Sequence, residues 1–208
     1  ELPQRIGVIG AGPIGCELAQ AFARFGSQVF LIEAQHGLMP NDDRDAAAIV
    51  EQKMVRDGVK LLCCGKELKF SKIDTGKRLT VDSHGQYYDI TVDEILLGVG
   101  RTPNVQGLGL ETAGVQYDRN GVMVNERLQT TNPRIYAAGD ICSKYKFTHA
   151  ADAMAQIVIQ NALFPHPFGL AYASADSLVM PWCTYTEPEV AHVGMYEADA
   201  RAKGLEVE

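Results

Sequence analysis

Two rhythms of apolar and polar residues divide the chain. Arg5-Ile6-Gly7-Val8-Ile9-Gly10 is a short, almost wholly apolar run, the pattern of a parallel strand covered on both faces. Gly-Ala-Gly-Pro-Ile-Gly over 10–15 leads into a helical rhythm, with Ile14, Leu18, Phe22 and Phe25 expected on one buried stripe and Gly26 closing it. Gln28 to Glu33 reads as a second buried strand that ends in an acid. Asn41 and Asp42 are placed to cap a helix over 43–57, with Ala46, Ile49, Val50 and Met54 facing inward and Gly58 stopping it. Residues 59–63 predict a third strand.

From 65 to 92 the period drops to two. Alternating segments at 68–70, 78–81 and 87–90 are divided by Asp74-Thr75-Gly76 and Ser83-His84-Gly85, which predicts an antiparallel meander rather than a crossover helix. Glu94 to Leu97 then returns to the sheet. The order β-α-β-α-β, meander, β makes 1–115 a nucleotide-binding domain of the α/β class. A second segment, 116–175, holds a short strand at 122–124 and a long apolar helix over 149–163, expected to be buried all round and ended by Pro165 and Pro167. Beyond 176, strands at 178–185 and 190–194 and a helix over 197–203 are expected to begin a third unit.

Composition narrows the class of partner. With 46% apolar residues and 19 Lys+Arg against 26 Asp+Glu, the net charge of -7 argues against nucleic acid or an anionic membrane surface. No run approaches a membrane span of about 18 to 20 apolar residues. The opening Glu1-Leu2-Pro3-Gln4-Arg5 carries neither an initiator Met nor a signal-peptide pattern, so a central piece of a longer protein is expected. Cysteines at 16, 63, 64, 142 and 183 are odd in number and show no Cys-x2-Cys or zinc spacing. Free thiols in a reducing cytoplasm and no metal site are therefore expected. Cys63-Cys64 is read as structural, because a vicinal disulfide would strain the backbone.

Two constellations carry chemistry. Gly10-x-Gly12-x-x-Gly15 follows a buried strand and opens a helix, where Gly10 permits the tight turn, Gly12 lets a diphosphate approach and Gly15 lets helix and strand pack closely. The helix start supplies N–H groups and partial positive charge for the anion. Glu33 lies 18 residues after Gly15, placed to take the hydroxyls of an adenosine ribose and to repel a 2′-phosphate. No Arg or Lys between 34 and 43 offsets that repulsion, so NAD is preferred over NADP. Gly107-x-Gly109, with no strand before it and no long helix after it, reads as a turn. In the second constellation, Ile135-Tyr136-Ala137-Ala138-Gly139-Asp140, small residues let the backbone approach a polar ligand and Asp140 aims a carboxylate at it. An acid capping a loop is the other reading of that pattern.

Together these motifs resemble the flavoprotein disulfide reductases, the family of dihydrolipoamide dehydrogenase, glutathione reductase and mercuric reductase. The resemblance runs in order through the Gly10 fingerprint, Gly98-Val99-Gly100-Arg101-Thr102-Pro103-Asn104, Thr131 to Asp140, and Pro188-Glu189-Val190-Ala191-His192-Val193-Gly194. Glu33 with Leu38-Met39-Pro40 and Asp45 is closer to the dihydrolipoamide branch, and Phe147 to Asp152 to the mercuric-reductase-like branch. The resemblance implies that Gly10, Gly12, Pro13, Ile14, Gly15 and Glu33 bind NAD, with Glu17, Gly100 and Arg101 near the nicotinamide end. Pro13 stands where some members place a gating Tyr. Asp140 would hold the flavin ribityl chain, and Phe147, Thr148, His149 and Ala150 would meet the isoalloxazine.

The family's Gly-rich FAD half, Cys-x4-Cys redox pair and His-Glu dyad are not found in this sequence, so no catalytic residue is assigned. His36, His84, His149, His166 and His192 are expected to be structural or exposed, and Cys142 has no redox partner. The chain thus reads as a Rossmann-like NAD domain (1–115), a C-terminal segment of an FAD domain (116–175) and the start of an α+β dimerisation domain (176–208). The implied parent is an FAD-dependent homodimer passing hydride from NAD(P)H to a disulfide-type acceptor. An isolated dinucleotide-binding module without redox activity is the alternative. A flavin-free dehydrogenase is disfavoured by Gly139-Asp140 and by the lack of a substrate domain.

Overall fold

The apolar run Arg5–Ile9 forms β1, buried from Ile6 onward. The computed structural model describes residues 1–207. They form two compact units, Glu1–Gly100 with the segment from Pro181 onward, and Arg101–Met180. In the first unit α1 (Pro13–Arg24), β2 (Gln28–Ile32), α2 (Arg44–Arg56) and β3 (Lys60–Leu62) follow β1. An antiparallel meander of β4 (Gly65–Ile73), β5 (Gly76–Ser83) and β6 (Gln86–Val92) comes next, and β7 (Glu94–Leu97) returns to the sheet. The parallel sheet runs β3-β2-β1-β7, with Gly7 of β1 paired to Phe30 on one side and Ile95 on the other. Strand order reverses at β1, which opens a crevice at the carboxyl ends of the strands.

Period-two alternation along β2 explains the two-sided core. Val29 and Leu31 pack with Cys16, Ala19, Val50 and Met54 of the helices. Phe30 and Ile32 face the other way, onto Leu79, Val81 and Val92 of the meander. The meander thus covers the face that a helix covers in a doubly wound sheet.

The buried helix faces differ from those read in the sequence. On α1 the buried residues are Gly15, Cys16, Ala19 and Gln20, whereas Ile14, Leu18 and Phe25 are exposed. Close approach to the strands selects small side chains, so of the expected stripe only Phe22 packs against the core. On α2, Ala47, Val50 and Met54 point inward and Ile49 is exposed. Its N-cap is Asp43, without a side-chain capping bond, and not Asn41 or Asp42.

The second unit is loop-rich. β8 (Tyr117–Asp118) and β9 (Gly121–Val122) pair as a short ribbon, and Val124 joins only by an isolated bridge to Thr130. The expected strand at 122–124 is therefore shorter and starts earlier. A 3-10 turn spans Gly139–Ile141, α3 spans Thr148–Leu163, and two more 3-10 turns follow at Pro167–Gly169 and Ala175–Ser177. Ala150, Met154, Ile157 and Asn161 form its buried face, while Ile159 and Leu163 are exposed, so α3 is not buried all round as its apolar composition suggested. Gly107 and Gly109 lie in a turn at positive φ.

From Pro181 the chain rejoins the first unit as a hairpin of β10 (Pro181–Thr184) and β11 (Val190–Val193), followed by α4 (Glu197–Ala202). The strand expected from 178 begins only at Pro181. No described helix is long and apolar enough to cross a membrane.

Candidate functional site

Three glycines at the mouth of the crevice have different structural reasons. Gly10 has φ +94°, and a Cβ there would lie 2.6 Å from the Gly98 carbonyl oxygen at the end of β7. A Cβ on Gly15 would collide with the Gly10 carbonyl oxygen. These two hold β1, β7 and α1 at close range. Gly12 differs: its backbone is extended, at φ -71° and ψ -178°, and a Cβ would meet nothing within 4 Å. The fold itself does not demand a glycine there.

Gly12 is the N-cap of α1, with Pro13 at its first position, no side-chain cap and no acid in the first turn. The first turn of α1 therefore brings no anionic side chain of its own to the positive end of the helix dipole. Ile14, beside it, is exposed. Pro13 suits this position because its missing N–H would have no helical partner.

Glu33, the residue just past β2, is only 9% exposed. Its Oε2 accepts the Ala11 N–H at 2.8 Å and its Oε1 accepts the Gln35 N–H at 2.9 Å. Two backbone donors orient the carboxylate beside the glycine turn and leave acceptor capacity on both oxygens. Arg44, the first cation after Glu33 in the chain, donates to the carbonyls of Leu38, Met39 and Asp42 and so is committed to its own loop. Cys16 donates to the Ala11 carbonyl, and burial pushes its thiol up to about 12, so it is a packing residue.

Glu17 is engaged elsewhere in the first unit: its Oε1 accepts the Tyr185 N–H at 2.8 Å. Gln20 and Arg24, further along α1, bind Glu187 and Asp57. Nothing in the periodicity signalled Ala11, Arg44 or Gln20 as partners, since each acts through backbone groups or distant residues. Gly100 sits at φ +105° with open space where a Cβ would be.

In the second unit Gly139 has φ +81°, and a Cβ would lie 3.0 Å from the Ala151 Cβ, so its size sets how closely α3 approaches. Asp140 is half exposed, with Arg101 Nη1 at 3.4 Å from its Oδ2. Arg101 also donates to the Lys146 carbonyl, and Lys146 Nζ returns to the Asp140 carbonyl, both at 3.0 Å. The start of α3 carries no side-chain cap and no acid in its first turn. There the Phe147 and His149 rings stack at 5.3 Å, Thr148 is exposed and Ala150 buried. Cys142 is raised to about 11 by burial, which suits an unreactive thiol.

Residues 1–156 match the family described as pyridine nucleotide-disulphide oxidoreductase. The chain is 36% identical over 208 residues to a mercuric reductase of Staphylococcus aureus, covering 100% of this chain and 37% of that protein. It is 35% identical to a dihydrolipoyl dehydrogenase of Thermus scotoductus, covering 99% of this chain and 44% of the relative. Among solved structures it resembles the HOCl-induced flavoprotein disulfide reductase RclA from Escherichia coli, with a TM-score of 0.84, 31% identity, and coverage of 99% of this chain and 46% of that one. The chain thus spans less than half the length of these relatives.

Proposed function

The chain belongs to the pyridine nucleotide-disulphide oxidoreductase family, and we propose that it holds the nicotinamide nucleotide and part of the flavin in an enzyme passing hydride from NADH to a disulfide or similar acceptor. Gly12 carries this reading. Its neighbours Gly10 and Gly15 are required by packing, but the space beside Gly12 is open, at an uncapped helix start next to an oriented carboxylate. A dinucleotide diphosphate fits there, against the N–H groups of the first turn of α1, flanked by Pro13 and Ile14.

Glu33 then faces the adenosine ribose. It accepts from the two hydroxyls and disfavours a 2′-phosphate, which has no free cation from Arg44 to meet it. NAD is the preferred nucleotide on this account. Glu17 and Gly100 are assigned on the same reading to the nicotinamide end. In the second unit, Asp140 is exposed for ribityl hydroxyls, and residues 147–150 form the helix start facing the ring system.

When bound, the nicotinamide and flavin supply the hydride chemistry, and the residues of this chain bind and orient them. The division at 1–115, 116–175 and 176–208, the homodimer and a cytoplasmic setting belong to the same proposal. Titration of the purified chain tests it. NADH should bind more tightly than NADPH, and Glu33→Arg should narrow or invert the difference. Equal affinities in the wild type would remove the role given to Glu33.

A further inference from the structure

Four side chains from three separate segments converge beside β3. His36 follows β2, Cys63 and Cys64 follow β3, and His84 lies in the turn between β5 and β6. One donor atom from each lies within 4.8 Å of all the others. Cys63 Sγ is 3.1 Å from His84 Nε2, and Cys64 Sγ is 3.6 Å from His36 Nδ1. Both cysteines are free thiols and half-buried, and both histidines are exposed.

The backbone explains how adjacent cysteines reach one cluster. Successive residues of a regular strand face opposite sides. Cys64 leaves that pattern at φ +55°, just past the end of β3. His84 and Gly85 form a two-residue hairpin loop, both at positive φ, between the paired residues Ser83 and Gln86. The segments are also tied to one another: Cys64 N–H donates to the Gln35 carbonyl at 2.9 Å, and Ser83 Oγ donates to the Cys63 carbonyl at 2.6 Å. The cluster is therefore supported from behind by bonds that do not use its own donor atoms. No Cys-x2-Cys spacing announces it, because its ligands come from positions 36, 63, 64 and 84.

We propose that His36, Cys63, Cys64 and His84 bind one zinc-class dication in a tetrahedral shell of two sulfurs and two nitrogens. Tetrahedral zinc, with Zn–S of about 2.3 Å and Zn–N of about 2.0–2.1 Å, spaces its donors about 3.3–3.8 Å apart. The separations here bracket that range, so loading needs only small side-chain adjustments. A two-thiolate, two-imidazole set selects zinc over magnesium or calcium, which prefer oxygen ligands. Binding forms two Zn–S and two Zn–N bonds and releases the two thiol protons to solvent, with no change in oxidation state. The bound ion would staple the loop after β2, the end of β3 and the β5–β6 turn. It stands independently of the nucleotide assignment.

The test uses the whole 208-residue chain, reduced and stripped with a chelator, then titrated with Co(II) as a coloured substitute for zinc. One equivalent should produce a near-ultraviolet thiolate-to-cobalt charge-transfer band and intense tetrahedral visible bands, both bleached by one equivalent of Zn(II). Zinc should also raise the melting midpoint. The double variant Cys63→Ser/Cys64→Ser should lose the bands, whereas Cys142→Ser and Cys183→Ser keep them. His36→Ala and His84→Asn should each weaken Co(II) binding at least about tenfold, a loss seen even when only a ligand's surroundings are disturbed. Asn is chosen at 84 because it tolerates positive φ. Absence of the charge-transfer band in the wild type overturns the proposal, as does its survival in the double Ser variant. Wild-type affinity in both His variants overturns it too, since only a thiol pair would then remain.

Discussion

Each unit opens a long helix close to a glycine at positive φ and an acid, yet the two acids are held differently. In the first, Glu33 is nearly buried and takes two backbone N–H bonds, one from the glycine turn itself. In the second, Asp140 is half exposed, and its side chain meets Arg101 only at 3.4 Å. An acid already oriented by its own backbone loses little freedom on meeting a ligand, whereas an open one must be ordered by the ligand or by another element. The acid at the first helix start is thus the more preorganised of the two.

Substitutions at the glycines should have the largest effects on the two helix starts. Gly15→Ala should cost about 3 kcal/mol or more, because its methyl meets the Gly10 carbonyl between two rigid elements. Gly139→Ala should cost about 1–2 kcal/mol, mainly for a side chain at φ +81°. Gly12→Ala should leave stability within about 0.5 kcal/mol, since a poorer N-cap residue is offset by a stiffer unfolded chain. It should nonetheless weaken NADH binding at least tenfold, about 1.4 kcal/mol. Thermal melts and nucleotide titrations separate the two effects. A Gly12→Ala protein that binds NADH normally would place the diphosphate elsewhere.

A smaller effect follows for the flavin. The purified chain should bind NADH but carry little FAD, because Asp140, Thr148 and His149 stand exposed without a second enclosing wall among the described residues. Absorbance of the protein as isolated checks this. A yellow chain with stoichiometric flavin would show that the second helix start is as complete as the first.

The sequence made the parallel sheet, the meander and the Gly10–Glu33 relation legible, because each follows from local period or fixed spacing. Buried strands read as apolar runs, and glycine turns mark the meander directly. The helix faces were harder. On α1 the contact with the sheet is made by Gly15, Cys16 and Ala19, whose small size carries little hydrophobic signal, while Ile14 and Phe25 stay exposed. Partners joined through the backbone, such as Ala11 to Glu33 and Tyr185 to Glu17, leave no mark on residue type. The His36–Cys63–Cys64–His84 cluster was invisible for a related reason: its spacing is set by three turns and not by one motif.

The clamps at the far ends of the two helices extend the contrast to pH. Asn161 of α3 ties down the Arg127 and Ala173 carbonyls and accepts the Ala173 N–H, an amide network that does not titrate. Its counterpart beside α1 is Asp57, bound by Lys53, Arg24 and Gln20. Lys53 first, then Arg24 and Gln20, hold the Asp57 carboxyl below its ordinary range. A carboxyl lowered in the folded state contributes its full stability above the unfolded value of about 3.9. That contribution fades as pH falls through the lower folded value. Asp57→Asn should therefore cost about 1 kcal/mol or less at neutral pH. The gap to wild type should close in acid, leaving a flatter loss of stability at low pH. Fluorescence of the single tryptophan, Trp182, follows this unit, because its hairpin is joined to α1 through Glu187. Parallel acid unfolding curves for the two proteins would mean that the bonds to Lys53, Arg24 and Gln20 survive protonation of Asp57, and that the charged clamp is no more sensitive to acid than the amide one.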